Sequence, residues 1–466
     1  MTKTNVKKII DFSEFINTFI KKLTNKYIER KRKCDLLDTF IYRLLYSQIG
    51  KSSESTVSKL NKLRLDNHRQ TISRQAYESR DKSINSSFYQ KVDDILTIYL
   101  NTHFYNNQDK NEVIVYAVDG TSICLLIDKK NKNKTNINGD SSTCLISGVY
   151  NVTYQTPVAL DLVDHKNERR AIIDFFKNRQ INENSIYIFD KGYIDQSFFD
   201  YMIKHNIKFV CRLRDNMNIV SSEFVDKTVT YCNNQIRVIK YTINDKNYYL
   251  GTNLFDNKKY TVLTLKQLYH DRWSIEEYFK YVKKHFNLSY IDEFGMESIK
   301  KTIYSQLIIS KIINAFTYIF SKDKNKFNKE NMILNKSLLT DGFFTNHDLL
   351  YKLIMNKGVN RVFIEKFVKI SVFPTHTRKN ESYERIGKRP YHKWYIKKHF
   401  KKYVKTKNLT EDEINKAKID SKPKMKTTKQ RIELKQKNKH QKLQKHKKQK
   451  SIKDKKTQNN FLQIIS

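Results

Sequence analysis

Three acidic residues stand where a rigid backbone would fix a carboxylate. Asp119 closes the apolar run Val113-Ile114-Val115-Tyr116-Ala117-Val118, and Asp190 closes a second run, Ile186-Tyr187-Ile188-Phe189. Such runs read as strands buried on both faces, with their ends at a sheet edge. An acid there is also an ordinary turn former, so neither position decides the matter alone. The third acid, Glu276, lies between Tyr269 and Lys283, where apolar residues recur at helical spacing. At about 100° per residue, Tyr269, Arg272, Glu276 and Lys283 share a stripe roughly 60° wide. Leu268, Ile275, Phe279, Val282 and Phe286 form the adjacent face, which can dock on a sheet and leave the polar stripe at the rim of the contact. There Glu276 could meet Asp119 and Asp190, while two cations and a phenol would point toward a bound anion. The plainer alternative is a solvated helix face on which Glu276 pairs with Arg272 or Lys280.

The spacing resembles a known signature. Tyr-x2-Arg-x3-Glu-x6-Lys, at Tyr269, Arg272, Glu276 and Lys283, is similar to that of the bacterial DDE transposases of the insertion-sequence-four group. Tyr116 to Thr121 resembles the family's first catalytic strand, and Phe189-Asp190-Lys191-Gly192-Tyr193 resembles its second Asp motif. Asp190 follows Asp119 by 71 positions and Glu276 follows Asp190 by 86, which leaves room for the β-rich insertion of this group. The resemblance covers roughly residues 113–320, and Lys388-Arg389-Pro390 to Trp394 looks like a segment common near the C-terminus of these enzymes. It implies a ribonuclease-H-like core in which Asp119, Asp190 and Glu276 are the catalytic, metal-binding carboxylates for two Mg²⁺ ions, with Mn²⁺ as a possible substitute. By the same resemblance, water frees a 3′-hydroxyl at the element's end and that hydroxyl attacks target DNA, a cut-and-paste reaction. Tyr269, Arg272 and Lys283 would contact DNA phosphates, with Lys191 a further residue of that type. The implied partners are double-stranded DNA with terminal inverted repeats, target DNA and a second copy of the chain, with helices after Met296 as the interface.

The elements that must position these residues can be read along the chain. Residues 1–105 carry helical spacing and form a helical, DNA-binding domain, with basic segments Ser55 to Arg64 and Arg69 to Arg80 as short helices suited to a groove or simply to a basic surface. Residues 110–206 begin the α/β catalytic core, with strands at Val113 to Val118, Ile123 to Ile127, Gly148 to Tyr154, Val158 to Val163 and Ile186 to Phe189, and helices at Glu168 to Lys177 and Gln196 to His205. Residues 207–264 read as an inserted, mostly antiparallel β-rich subdomain, and 265–320 as the return of the core with the Glu-bearing helix. A helical region, 321–388, precedes a Lys-rich tail, 389–466.

Charge supports a polyanionic partner. The 466 residues hold 89 Lys plus Arg against 48 Asp plus Glu, a net charge of +41. An AT-rich coding sequence would also enrich Lys, but the cations cluster: 16 basic and two acidic residues lie between Lys422 and Lys456. Five scattered cysteines form no C-x-x-C pair, no H-E-x-x-H is present, and no G-x-x-x-x-G-K-[ST] indicates ATP use. The polar N-terminus lacks a signal-like apolar stretch, and Ile303 to Phe320 carries Lys311, Asn314 and Gln306, so the sequence predicts a cytoplasmic, nucleoid-associated protein and no membrane span. Trp273, Tyr278, Phe279 and Tyr281 could stack on a displaced base or fill a core. Asp161, Asp164, Asp195 and Glu277 are the neighbouring acids least suited by position. A stand-alone ribonuclease-H-like nuclease, or a domesticated or inactive transposase-derived DNA-binding protein, are the alternatives; the intact acids argue against decay.

Overall fold

The computed structural model describes residues 3–376 except 28–35, 47–52, 67, 106–112, 126–135, 139–140, 164–166, 180, 182, 222, 292, 294, 322–331 and 372–373. The chain divides into two units, Met1–Ile386 and Gly387–Ser466. The second, with the Lys-rich tail and the Lys388 to Trp394 segment, lies outside the described residues.

Among the described residues, five α-helices come first: α1 (Lys3–Tyr27), α2 (Leu36–Tyr46), α3 (Ser53–Asp66), α4 (Arg74–Ser83) and α5 (Ser86–Tyr99). Helical spacing puts Val6, Ile9, Phe12, Ile16 and Ile20 of α1 and Phe88, Tyr89, Val92 and Leu96 of α5 into one core. Arg64 and Arg69, both within the basic segments, pair with the buried carboxylate of Asp38. Part of that charge therefore holds α3 against α2 and does not face outward.

Among the described residues the sheet has ten strands: β1 (Ile114–Leu125), β2 (Asn136–Asn138), β3 (Ser141–Asn151), β4 (Thr156–Val163), β5 (Ser185–Phe189), β6 (Lys208–Arg212), β7 (Asp226–Tyr231), β8 (Asn234–Ile243), β9 (Lys246–Thr252) and β10 (Tyr290–Ile291). Their order is β2-β3-β1-β5-β6-β9-β8-β7, with β4 beside β3 and β10 beside β1. β3 and β4 run antiparallel to their neighbours, whereas β1, β5 and β6 are parallel. The crossovers are α6 (Glu168–Asn178) and α7 (Gln196–Lys204), which cover one face over Val118, Val149, Tyr187, Phe189 and Phe209. The other face, with Ala117, Ile123, Ile146 and Tyr150, packs against α9 (Trp273–His285) and α10 (Met296–Ser321). Between β9 and α9 lies α8 (Val262–Asp271). After α10 come β11 (Met332–Leu334), α11 (Lys336–Thr345), α12 (His347–Ile354), α13 (Arg361–Ser371) and β12 (Pro374–His376).

Two strands differ from the sequence reading. β1 does not stop at Asp119 but runs on to Leu125, because its antiparallel ladder with β3 continues through Asp119-Gly120-Thr121 to Leu125 opposite Ser142. Ile123 to Leu125 is thus the same strand and not a second one. β6 pairs parallel with β5 and belongs to the core layer, and the hairpin of β8 and β9 extends that same sheet through β9. Helix α10 is the one described helix long and apolar enough to cross a membrane, yet 83% of its apolar window is buried within the protein.

Candidate active site

β1 and β5 are paired in register from Ile114 opposite Ser185 to Val118 opposite Phe189, and there β5 ends. Asp190 leaves the sheet at the next residue. Asp119, the next residue of β1, is still paired with Gly148 of β3, while β10 joins the other side only at Cys124. Residues 119–123 therefore have an open edge, and both aspartates stand beside it. Because side chains alternate along a strand, Asp119 faces α9 and Gly120 faces α6.

Gly148 brings α9 down onto this edge. A side-chain carbon there would stand 2.7 Å from Phe279 Cζ, so the absence of one lets the buried Phe279 and Ile275 close on β3. Burying such side chains contributes about 2 to 3 kcal/mol each. Glu276 lies one turn before Phe279 and is carried to Asp119 by that contact. The helix is not continuous through the signature: it breaks at Arg272, where N–H bonds reach back three residues, from Arg272 to the Tyr269 carbonyl and from Ile275 to the Arg272 carbonyl, each 3.2 Å. Tyr269 thus belongs to α8. Its hydroxyl donates to Asp190 Oδ1 at 3.3 Å. Arg272, nearly buried, spans two acids, with Nη2 2.5 Å from Glu276 Oε1 and Nη1 3.5 Å from Asp119 Oδ2.

The structure adds an acid that the sequence reading passed over as part of a helix. Glu168, the first residue of α6, directs its carboxylate at the same edge: a side-chain carbon on Gly120 would overlap Oε1, and one on Gly192 would come within 3.8 Å of Oε2. Burial pushes Asp119 up to about 6, opposed by the Gly120 N–H at 2.9 Å and by Arg272, and aided by the charges of Glu168 and Glu276. Burial and Asp190 raise Glu168 in the same sense. Burial works against the Arg272 charge, but Glu276, Tyr269 and Asp119 hold its proton more firmly than usual.

Lys283 is not in this cluster. It lies about two turns along α9, roughly 10 Å from Glu276 at 1.5 Å per residue, beside Cys124, and burial lowers its pKa. Lys191 is exposed and lines an open cleft of about 430 Å³ with Gly192, Arg212, Arg214, Asp215 and Asn216, at the carboxyl ends of β5 and β6. Arg212 ends an apolar run, Lys208 to Arg212, in the same way that Asp119 and Asp190 end theirs, a signal that could have singled it out. Its guanidinium stacks on Tyr248 at 4.9 Å. On α9, Tyr278, Phe279 and Tyr281 pack into the core, whereas Trp273 is 52% exposed between Arg272 and Lys280. The other acids are engaged elsewhere: Asp161 holds Arg179 through both oxygens, Asp195 caps α7 and pairs with Arg169, and Glu277 pairs with Lys280. Asp164 lies outside the described residues. Among the described residues no three His, Cys, Asp or Glu side chains stand close enough together to hold one ion. The guanidinium of Arg272 bridges two of the acids instead.

Residues 111–310 match the transposase DDE domain. The matched span holds Asp119, Asp190 and Glu276, with Glu168 between the first two. No curated protein matches the sequence. Among solved structures, a piggyBac transposase synaptic complex with hairpin DNA aligns with a TM-score of 0.38 and 9% identity, over 79% of this chain and 83% of that chain.

Proposed function

We propose that the protein is a DNA transposase of the DDE type, which cuts and rejoins DNA at the ends of its own mobile element. One arrangement carries this reading: two aspartates at the ends of apolar runs in adjacent parallel strands and a glutamate on a helix docked across them stand at one sheet edge, linked through Arg272 and Tyr269, inside the span that matches the transposase DDE domain. We read the core order β4-β3-β1-β5-β6, with α6 crossing from β4 to β5, as ribonuclease-H-like.

The donors are of the type a hard divalent cation takes, since every acid at the edge offers oxygen, but a cation would have to displace the Arg272 guanidinium that bridges two of them and draw the acids together. Asp119, Asp190 and Glu276 would hold it. Two Mg²⁺ ions, or Mn²⁺ in their place, would supply Lewis acidity to the attacking and leaving oxygens of an in-line phosphoryl transfer. The chain's own residues do the remaining work. Arg272 turns from the acids to a DNA phosphate, which its planar fork can grip through two parallel hydrogen bonds. Lys283 and Lys191, the latter with Arg212 and Arg214, bind phosphates on either side. The Tyr269 hydroxyl keeps Asp190 in place in the protein without DNA and is free to meet a phosphate in its presence. The substrate is double-stranded DNA with terminal inverted repeats, joined to target DNA by a homodimer that holds both ends.

The test is incubation with Mg²⁺ and DNA carrying the repeats that flank the coding region. Cleavage at the repeat ends followed by joining supports the reading, and cutting without joining favours a stand-alone nuclease. Binding with neither reaction, in Mg²⁺ and in Mn²⁺, contradicts it.

A further inference from the structure

Asp119, Asp190 and Glu276 are all engaged by one short piece of chain. Arg272 takes two of them, Glu276 at 2.5 Å and Asp119 at 3.5 Å, and the Tyr269 hydroxyl takes Asp190 at 3.3 Å. Both residues sit at the break between two helices, where Arg272 closes α8 and opens α9. With Glu276 alone, the i, i+4 pair would be an ordinary helix contact. Here the guanidinium is only 9% exposed and also reaches a carboxylate on another element, β1. It stands between the two acids, where an ion shared by them would have to go. With it in place, no three acids among the described residues stand close enough to hold one ion.

A second feature gives the guanidinium somewhere else to go. Its centre lies 5.9 Å from the Tyr269 ring and 5.9 Å from the Trp273 ring. Trp273 is 52% exposed, and the Lys280 ammonium, paired with Glu277, lies 5.2 Å over the same indole. A rotation of the Arg272 side chain toward the indole takes its charge from the acids to an exposed ring with a second cation beside it. An anion from solvent meets both cations there.

Charge decides the order of events. A divalent ion entering the DNA-free protein must expel Arg272 and leave its guanidinium close to a like charge with no counter-ion of its own. A partly buried charge stranded in that way is costly. A phosphate removes the cost by taking the guanidinium, and the same movement uncovers Asp119 and Glu276.

We propose that Arg272 is a built-in counter-ion that closes the carboxylate site to divalent ions until a DNA phosphate draws it away, so that DNA and metal bind cooperatively. The proposal rests on the reading of Asp119, Asp190 and Glu276 as metal ligands. The coupling is reciprocal: the factor by which DNA raises metal affinity is the factor by which metal raises DNA affinity. Tyr269 has a smaller share, since it holds Asp190 by one hydrogen bond and carries no charge.

The experiment measures Mn²⁺ binding to the full-length protein, from the electron paramagnetic resonance signal of free Mn²⁺, without DNA and with repeat-end duplex. Ions held by the duplex alone are subtracted. Wild type, Arg272→Gln, Tyr269→Phe, Lys280→Gln and Glu276→Gln are compared, with circular dichroism as the check on folding. In the wild type the duplex should raise Mn²⁺ affinity roughly 5- to 150-fold. Arg272→Gln without DNA should recover most of that factor, Tyr269→Phe a smaller part, and the duplex should then add correspondingly less. The sign separates a lock from a support, because an arginine that only held the acids in place would weaken Mn²⁺ binding when removed. Folded Arg272→Gln that binds Mn²⁺ no more tightly than DNA-free wild type therefore overturns the lock. An equal gain in Lys280→Gln overturns it as well, since any lost positive charge would then suffice. In both cases the DDE reading stands if the wild type binds Mn²⁺ with DNA and Glu276→Gln does not. If the wild type binds no Mn²⁺ even with DNA, or Glu276→Gln binds it equally well, the underlying reading fails and the lock falls with it.

Discussion

Where the N-terminal helices meet α10, Lys311, Arg43 and Lys301 are buried and paired with acids of the protein itself. Lys311 of α10, 1% exposed, gives its ammonium to Asp93 at 2.6 Å, to the Thr97 hydroxyl at 2.7 Å and to the Val158 carbonyl at 2.9 Å. Arg43 of α2 reaches Asp81 at 2.8 Å and Glu293 at 2.6 Å, and Lys301 returns to Asp81 at 3.0 Å. At the sheet edge, one guanidinium serves Asp119 and Glu276, one phenol serves Asp190, Glu168 makes no ion pair among the described residues, and all four acids are partly open to solvent. The first arrangement joins parts of the fold. The second leaves an excess of negative charge that only something from outside can match. Charge at the junction therefore belongs to stability, and charge at the edge to ligand binding.

That contrast can be broken by substitution, and the largest effect is expected at the junction. Lys311→Met leaves Asp93 buried without its cation. Removing one partner of such a pair costs about 3 to 5 kcal/mol, and the lower figure is expected because burial pushes Asp93 up to about 6, so it takes a proton at modest cost. Urea unfolding measures it, and a loss below about 1 kcal/mol would contradict the comparison. Next comes Gly148→Ala, which sets a carbon 2.7 Å from Phe279 Cζ. Overpacking of that kind costs about 1 to 3 kcal/mol, and here it also lifts Glu276 from Asp119, so DNA cleavage should fall further than stability.

The site should respond in the opposite sense. Asp119 binds its proton more tightly in the folded protein than in the unfolded chain, so its ionisation opposes folding. The free energy of unfolding falls as pH rises from about 4 to about 6 and is flat above, as far as this group decides it. Without divalent ions, Asp119→Asn should thus match the wild type near pH 4 and exceed it by roughly 1 to 2 kcal/mol at pH 7. A less stable variant at pH 7 would show that Asp119 is structural. Smallest is Glu276→Gln, whose partly exposed i, i+4 pair with Arg272 contributes about 0.5 kcal/mol or less, so its metal-free melting curve should overlie that of the wild type.

The site was more legible in the sequence than its surroundings. Asp119 and Asp190 could be picked out because buried parallel strands are apolar throughout, so a polar residue at their ends stands out. Glu276 was legible because the face beside it, with Ile275, Phe279 and Val282, is evenly spaced. The continuation of β1 was not: Asp119-Gly120-Thr121 has the composition of a turn, and only the ladder with β3, on residues about 25 positions away, keeps it extended. The break at Arg272 carries no Gly or Pro to announce it. Glu168 was hidden by an ordinary role, since acids open many helices. The junction was invisible for another reason: Lys311 and Asp93 are 218 residues apart, and no local pattern pairs them.

The most direct test of the central claim supplies DNA ends already cut to a free 3′-hydroxyl and follows their joining to a plasmid in Mg²⁺, with wild type and Glu276→Gln assayed beside a DNA-binding measurement. The account predicts joining by the wild type, and no joining by Glu276→Gln despite unchanged folding and retained binding. Joining by Glu276→Gln at the wild-type rate would contradict it, as would a wild type that binds these ends and joins none.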